Sequence, residues 1–314
     1  MNLLLLTFGD RVENHHQAVF CALSFLKDPR IGRVLVMTDR PHFYRWLQAG
    51  SAVPVEIIVL SPETLADWQG PYQFFWRIKI RAVEEAMKRH PDPHLLYVDS
   101  DTMLATDLAA LDARLSSGTA FMHCLENRLA DRNSRTLTRM RETLMGQTLA
   151  GVTITGESTM WNAGVIAVPG GQAGHRQDDP SRVKQPADAK YMSGASRIAL
   201  ALQLCDAMCA TACPRRLVEQ FAFSLALQQG SLAPCGSTVV HYWGNKPGWN
   251  AFINSFLAAC RLRDDTVAEA ITQAATLDWK HLPIENCPRT SAERIKRGVD
   301  RLLPRRRVRY FDPG

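Results

Sequence analysis

The sequence predicts an α/β protein with a mixed, mostly parallel sheet flanked by helices. Short apolar runs alternate with amphipathic stretches through the first third of the chain, which is typical of a doubly wound sheet. The fourth apolar run, Leu95–Val98, is followed at once by Asp99 and Asp101, so two carboxylates lie just beyond the end of a buried strand. With 314 residues, of which 46% are apolar, the chain is long enough to bury a full core.

Strands and helices alternate regularly before residue 104. Unbroken apolar runs are expected for strands covered on both faces, and they predict strands over residues 2–8, 33–38, 55–60 and 95–98. Amphipathic spacing predicts helices over residues 13–26, 42–49 and 71–90. Because crossovers between parallel strands are right-handed, the ends of the first and fourth strands are expected at the same edge of the sheet.

The order of elements changes after residue 104. Helices are predicted over residues 107–115, 127–147, 195–213 and 214–229, and strands over 119–124, 158–169 and 239–241. Residues 170–190, rich in Gly, Gln, Asp and Pro, are predicted to form a mobile loop, either a lid or a disordered insertion. The spacing of Cys205, Cys209 and Cys213 places them on one helical face and favours small core side chains over a metal cluster.

The formal net charge of +6 is concentrated at the carboxyl end of the chain. Residues 291–314 contain eight basic and three acidic side chains, which leaves the rest of the chain nearly neutral. A neutral body argues against nucleic acid as the main substrate. No apolar run is long enough for a membrane span or a signal-peptide core, so a cytoplasmic location is expected.

The basic tail also carries an apolar stripe. Ile295, Val299, Leu302 and Leu303 share one side of a predicted basic helix before Pro304. Segments of this kind lie on anionic membrane surfaces, so a peripheral membrane contact is one interpretation. A helix docked on the domain with its basic side in solvent is the other.

Asp99 and Asp101, with Ser100 between them, are candidate metal ligands. Residues two apart in an extended chain point the same way, so both carboxylates can face one point beyond the strand. Ligands bind at this edge of open α/β sheets. Paired carboxylates suit Mg²⁺ or Mn²⁺ that carries a substrate diphosphate. Taken alone, the same pattern also fits a capped turn with solvated acids.

The stretch from His241 to Trp249, HYWGNKPGW, is the second candidate for chemistry. A neutral imidazole can complete a metal site begun by two carboxylates, and Lys246 can neutralise a diphosphate as a point charge. Gly244 and Gly248 permit the tight backbone that such contacts need. Without the two aspartates, the stretch would be interpreted as an aromatic-rich turn.

Four blocks of sequence resemble the GT-A glycosyltransferases in their order and separation: YVDSDTML, MWNAGVIAVP, EQFAFSLAL and HYWGNKPGW. They are most similar to glycosyltransferase family 8, the group of glycogenin and the bacterial lipopolysaccharide galactosyltransferases. The resemblance implies a GT-A fold over residues 1–285, with a nucleotide-binding half over about 1–104 and an acceptor half over about 105–285. Residues 286–314 would form a separate basic tail. It also implies a nucleotide-sugar donor, usually a UDP-sugar, bound through Mn²⁺ or Mg²⁺.

The resemblance assigns a binding role to each residue that matches a family motif. Asp99 and Asp101 match the metal-binding Asp-x-Asp, and His241 matches the third metal ligand. The residues implied to contact the nucleotide sugar are Thr7, Phe8, Gly9, Arg77, Lys79, Asp99, Ser100, Asn162, Gly164, Gly244 and Lys246. Arg77 and Lys79 lie on different faces of a helix, so only one of them is expected to point inward.

The candidate catalytic residues are Glu219, Gln220 and Asp101. Glu219 and Gln220 match the acidic–Gln pair that the family places beside the reacting sugar carbon. The loop that follows His241 departs from the family, because Asn245 alone separates Gly244 from Lys246 where two residues are usual.

The sequence therefore predicts a metal-dependent glycosyltransferase that moves a sugar to a hydroxyl of a glycan or lipid-linked acceptor, as in cell-surface glycan synthesis. Family resemblance implies retention of the anomeric configuration, whereas Glu219 acting as a base would give inversion. A sugar nucleotidyltransferase is disfavoured, because the turn after the first strand lacks the Gly-rich phosphate loop usual in that class. A catalytically silent module that binds nucleotide sugars or glycans is the remaining alternative.

Overall fold

A seven-stranded sheet forms the centre of the molecule. The computed structural model describes residues 1–131, 134–171, 192–243, 246–277, 295, 298 and 299. The strands are β1 (Asn2–Leu6), β2 (Arg33–Thr38), β3 (Val55–Val59), β4 (Leu95–Val98), β5 (Thr102–Leu104), β6 (Ala120–Met122), β7 (Leu125–Arg128), β8 (Thr148–Leu149), β9 (Val152–Thr153), β10 (Thr159–Trp161), β11 (Val165–Val168), β12 (Leu232–Pro234) and β13 (Val239–His241). The helices are α1 (Val12–Phe25), α2 (Arg45–Gly50), α3 (Pro62–Gln69), α4 (Arg77–Arg89), α5 (Ala109–Ser116), α6 (Arg135–Leu144), α7 (Gly194–Cys209), α8 (Val218–Leu227), α9 (Lys246–Leu262) and α10 (Val267–Ala275).

The strand order of this sheet is β12-β6-β11-β4-β1-β2-β3. Neighbouring strands are parallel except at β11, which is antiparallel to both β4 and β6. The predicted mixed, mostly parallel sheet is therefore confirmed. Strands that precede residue 104 in the sequence and strands that follow it belong to this one sheet.

Alternate residues of the central strands face two separate cores. Leu4 and Tyr97 lie in a core that also contains side chains of α4, α7 and α8. Leu5 and Val98 lie in the other, beneath α1, α9 and α10. Each buried Leu or Val contributes about 1.5–3 kcal/mol, so the apolar runs hold helices against both faces of the sheet. Cys205, Cys209 and Cys213 are buried in the first core, as predicted. The prediction that they share one helical face is wrong for Cys213, because α7 ends at Cys209.

The chain reverses its direction of travel through the sheet at β1. From β1 the chain moves to β2 and β3 on one side, and β4 then returns to the other side of β1. A crevice forms where the strand order reverses in this way, at the carboxyl ends of the strands. Asp99 follows β4 and Thr7 follows β1, so both lie at this edge.

Several predicted elements differ from the observed ones. The helix predicted over 71–90 begins at Arg77, after a turn in which Gln73 has a φ of 49°. The helix predicted over 127–147 is wrong at its start, because Leu125–Arg128 is a strand and Ser134 caps α6 by accepting from the Leu137 N–H. The strand predicted over 158–169 is interrupted by a turn, which separates β10 from β11.

Some predictions fall wholly or mainly on residues outside the described part of the chain. These are the loop at 170–190, of which the structure describes 170 and 171, the tail at 286–314, of which it describes 295, 298 and 299, and Gly244. No helix within the described residues is both long and apolar enough to cross a bilayer.

Candidate metal and donor site

A short ladder between β5 and β13 brings the two candidate motifs together. β5 starts directly after Asp101 and pairs antiparallel with β13, so His241 lies opposite Thr102. The ladder continues past β13, because the Tyr242 N–H donates to the Asp101 carbonyl oxygen at 3.1 Å. Residues that are far apart in sequence are thereby fixed side by side through backbone hydrogen bonds.

Asp99, Asp101 and His241 form a group of potential metal ligands. Their ligand atoms all lie within 4.8 Å of one another. The His241 Nε2 is 3.5 Å from the Asp101 Oδ1 and 4.0 Å from the Asp99 Oδ2. The two carboxylates and the imidazole that the sequence assigns to one cation therefore face a common point.

Each aspartate has one oxygen held by a lysine and the other directed at the histidine. The Asp99 Oδ1 accepts a hydrogen bond from the Tyr97 hydroxyl at 2.6 Å and is 3.1 Å from the Lys79 Nζ. The Asp101 Oδ2 is 2.8 Å from the Lys246 Nζ. The Asp99 Oδ2 and the Asp101 Oδ1 remain on the side of His241.

Asn162 fixes the orientation of the His241 ring. The Asn162 Oδ1 accepts from the Gly164 N–H at 2.9 Å, and its Nδ2 donates to the Glu126 Oε1 at 2.8 Å. The same Oδ1 is 3.2 Å from the His241 Nδ1, so this nitrogen is the donor of the pair. Nε2 then presents a lone pair towards two carboxylates. Three acceptors that face one another fit a hard or borderline divalent cation.

Asp101 remains ionised although it is buried. Burial by itself would raise the pKa of Asp101, which is 4% exposed. The ammonium group of Lys246 and the adjacent His241 ring nevertheless hold the pKa of Asp101 well below its ordinary value. Asp101 is therefore a carboxylate at all physiological pH values, as a metal ligand must be.

Lys79 joins the metal group to the predicted catalytic pair. Its ammonium group is buried between Asp99 and Glu219, 3.1 Å from each, and donates to the Ala163 carbonyl oxygen at 3.3 Å. The contact with the Glu219 Oε1 is an ion pair rather than an aligned hydrogen bond. Burial lowers the pKa of Lys79, but the two carboxylates outweigh burial and raise it overall. Burial raises the pKa of Glu219, and Lys79 opposes that shift.

Gln220 follows Glu219 on α8, is partly exposed and lies next to Glu126. The Gln220 Nε2 donates to the Glu126 Oε2 at 2.7 Å, while the Glu126 Oε1 accepts from Asn162. Glu126 therefore links Gln220 of α8 to Asn162, the residue that orients His241.

Other predicted site residues lie apart from the metal group or contact it indirectly. The Arg77 guanidinium pairs with Asp206 at 2.7 and 3.0 Å, so Lys79 is the one of the two that faces Asp99. The Ser100 hydroxyl donates to Gln17 at 3.4 Å. Gly9 donates its N–H to Asp39, and the ring of Phe8 lies 5.5 Å from that of Phe75.

Sequence reasoning missed Tyr97 and Glu126. Tyr97 precedes Asp99 by two residues in an extended chain, so strand alternation would have placed its hydroxyl on the same side. Glu126 lies in a strand that is mostly exposed and carries no apolar pattern, so no sequence signal marks it.

We expect Gly164→Ala to disturb the site, because a Cβ at Gly164 would overlap the Cε1 and Nδ1 of His241 and would lie 3.0 Å from the Asn162 Oδ1. The backbone there is not left-handed, so the effect is steric. Overpacking of this kind costs about 1–3 kcal/mol. Calorimetric titration with Mn²⁺ should show weaker binding.

Gly156→Ala is the matched control, because its Cβ would meet the Ala130 Cβ at an ordinary 3.5 Å. Unchanged Mn²⁺ affinity in Gly164→Ala would contradict the close approach of His241 to this turn.

No protein-family model matches the chain, and a search of curated proteins finds no match. Among solved structures, an active-site mutant of LgtC aligns with 54% of this chain and 57% of its own, with 16% sequence identity and a TM-score of 0.35. The chain thus spans little more than half the length of that structure.

A second similar structure is the galactosyltransferase LgtC in complex with donor and acceptor sugar analogues. It aligns over 90% of this chain and 99% of its own, with 14% identity and a TM-score of 0.42. The class that the fold and site of this chain define is an α/β protein with an Asp-x-Asp and His group at the carboxyl edge of its sheet.

Proposed function

We propose that this protein is a metal-dependent glycosyltransferase that moves a sugar from a nucleotide-diphosphate sugar to a hydroxyl acceptor. The observation that carries the proposal is the convergence of Asp99, Asp101 and His241 within 4.8 Å at the carboxyl edge of the sheet. At the same place Lys246 provides positive charge for a diphosphate, and Lys79 neutralises Asp99 and Glu219. A solvated turn would not bring a buried histidine and two lysines to the same aspartates.

The chain's own residues have separate tasks in the proposed reaction. Asp99, Asp101 and His241 would hold a divalent cation, which supplies charge neutralisation for the leaving diphosphate when bound. Lys246, whose side chain is 46% exposed, can reach the diphosphate and stabilise the negative charge that develops on it. Lys79 is buried and paired on both sides, so it holds Asp99 and Glu219 in place.

Gln220 is the residue we assign to the reacting sugar. Its partly exposed amide can present a carbonyl oxygen to the positively charged sugar, with its Nε2 held by Glu126. Glu219 is buried against Lys79 and is less suited to take a proton from an acceptor. This arrangement favours retention of configuration over inversion by a Glu219 base.

The finer features of the proposal follow the sequence resemblance. They are a UDP-sugar donor, Mn²⁺ as the preferred cation, and a glycan or lipid-linked acceptor. Thr7, Phe8 and Gly9, at the end of β1, would hold the base. The basic stretch 286–314 would place the protein at the edge of an anionic membrane.

The proposal is tested by incubating the protein with a panel of nucleotide sugars, with Mn²⁺, Mg²⁺ or a chelator. We expect a metal-dependent thermal shift with one donor and metal-dependent hydrolysis of that donor. Binding without hydrolysis or transfer to any acceptor would favour the silent binding module. No metal-dependent binding to any donor would refute both.

A prediction for Glu126→Gln follows from its two hydrogen bonds. Asn162 and Gln220 donate to different oxygens of Glu126, and glutamine replaces one of these oxygens with an NH2 group, so a donor would face a donor at one of the two positions. Because Glu126 is exposed, folding should be unaffected. We expect kcat for donor hydrolysis to fall about tenfold with little change in KM. Glu157→Gln, on the neighbouring turn, is the control, and equal kcat in both variants would contradict this role of Glu126.

A further inference from the structure

The two lysines of the metal group differ in how firmly they are held. Lys79 is buried, with two carboxylates and a carbonyl oxygen around its ammonium group. Lys246 lies in the first turn of α9, with a side chain that is 46% exposed, and pairs with Asp101. If Lys79 left its partners, buried carboxylates would lose their counter-charge, which is costly. Lys246 is half exposed and can exchange Asp101 for another anion at little cost.

The charges of the group explain why that exchange matters for a cation. Asp99, Asp101 and Glu219 are opposed by Lys79 and Lys246, so three carboxylates face two ammonium groups. Lys246 neutralises the same carboxylate whose other oxygen faces the metal position. A divalent cation that binds alone is repelled by this ammonium group, and repulsion between near charges persists at a partly buried site.

The geometry points to Lys246 as an exchangeable counter-ion that makes the binding of the divalent cation depend on the nucleoside diphosphate. Without the donor, Lys246 occupies Asp101 and weakens the affinity for the cation. When a diphosphate arrives, Lys246 moves onto it, and the full charge of Asp101 becomes available. The cation and the nucleotide then bind with positive coupling, which is necessarily reciprocal. This inference rests on the proposed function and assigns an order to the loading of its site.

The test measures free Mn²⁺ by electron paramagnetic resonance, with and without UDP, in the wild-type protein and in Lys246→Met. We expect UDP to strengthen Mn²⁺ binding at least tenfold in the wild-type protein. In Lys246→Met we expect about tenfold tighter binding of Mn²⁺ alone, a tenfold change being about 1.4 kcal/mol. The coupling between Mn²⁺ and UDP should shrink accordingly.

Two further variants separate charge from shape. Lys246→Arg keeps the positive charge and should bind Mn²⁺ alone as weakly as the wild-type protein. Lys88→Met removes the same charge from an exposed position of α4 and should change nothing. The melting temperature of each variant shows that the fold is retained.

Each outcome decides between the inference and the proposed function. If Lys246→Met binds UDP less tightly but binds Mn²⁺ alone with unchanged or lower affinity, Lys246 is only a diphosphate ligand and the counter-ion role is wrong. If the wild-type protein binds Mn²⁺ neither alone nor with UDP, the proposed function itself fails.

Discussion

Asp101→Asn is expected to lower the rate of donor hydrolysis by about 10³-fold and to abolish Mn²⁺ binding in the micromolar range. The substitution keeps the size of the side chain but removes the negative charge from the aspartate that lies closer to His241. Loss of one well-placed charge-stabilising group in an active site typically costs 10²–10³ in rate. Here the loss also acts on the cation, so the effect should lie at the upper end.

The folded state of Asp101→Asn should survive. Asp101 is 4% exposed and its carboxylate is costly to bury, whereas its partner Lys246 is half exposed and can return to solvent. Because the lowered pKa of Asp101 means that its charge stabilises the fold, we expect a loss of about 1–3 kcal/mol in unfolding free energy, which leaves the protein folded. A hydrolysis assay and a urea titration on the same preparation distinguish lost chemistry from lost folding.

Glu85→Gln is the matched control for this prediction. Glu85 is a partly exposed carboxylate on α4 that pairs with Arg89 on the same helix. Its neutralisation should leave both hydrolysis and Mn²⁺ affinity unchanged. If Asp101→Asn retained more than a tenth of the wild-type rate, the metal group would not be the centre of the reaction.

The sequence predicted the part of the site that follows directly after continuous apolar strands. β1, β2 and β4 are continuous apolar runs buried on both faces, and this pattern alone places Asp99 at the carboxyl edge. The handedness of crossovers predicted that β1 and β4 end at the same edge of the sheet, whereas their direct pairing was not predicted. These inferences needed no knowledge of the second half of the chain.

The second half was harder to predict because its strands are too short to show a period. β5 has three residues, TML, and pairs with β13, which is equally short. That pairing is what brings His241 to Asp101, and no local pattern encodes it. The turn between β10 and β11 was equally hard to predict. Its role depends on the tertiary contacts of Asn162 and Gly164 with His241.

Lys79 illustrates how far helix phase can be predicted. The spacing of Arg77 and Lys79 indicated that one of them faces inward, but not which one. The choice follows from tertiary contacts: Asp206 of α7 pairs with Arg77, and Glu219 of α8 pairs with Lys79. Sequence spacing alone does not show which basic residue an acidic residue on a neighbouring helix will pair with.

Replacement of Lys79 by methionine is expected to destabilise the protein by about 3–5 kcal/mol, because it leaves Glu219 buried without a counter-charge. Asp99 also loses one of the two groups that hold its Oδ1, so donor hydrolysis should fall as well. Lys88→Met, on the exposed face of the same helix, should change stability by less than about 0.5 kcal/mol.

The loss of stability in Lys79→Met should increase with pH, because Glu219 is buried and loses its counter-charge. Burial raises the pKa of Glu219 and Lys79 opposes that shift, so removing Lys79 raises the pKa of Glu219 further above its unfolded value. A carboxyl group of this kind contributes stability that is present at low pH and is lost as the pH rises through its folded pKa. Urea denaturation should therefore show a smaller difference from wild type at pH 5 than at pH 8. The double variant Lys79→Met/Glu219→Gln should recover most of the loss at pH 8, and an equal loss at both pH values would show that Lys79 acts by packing and not by charge.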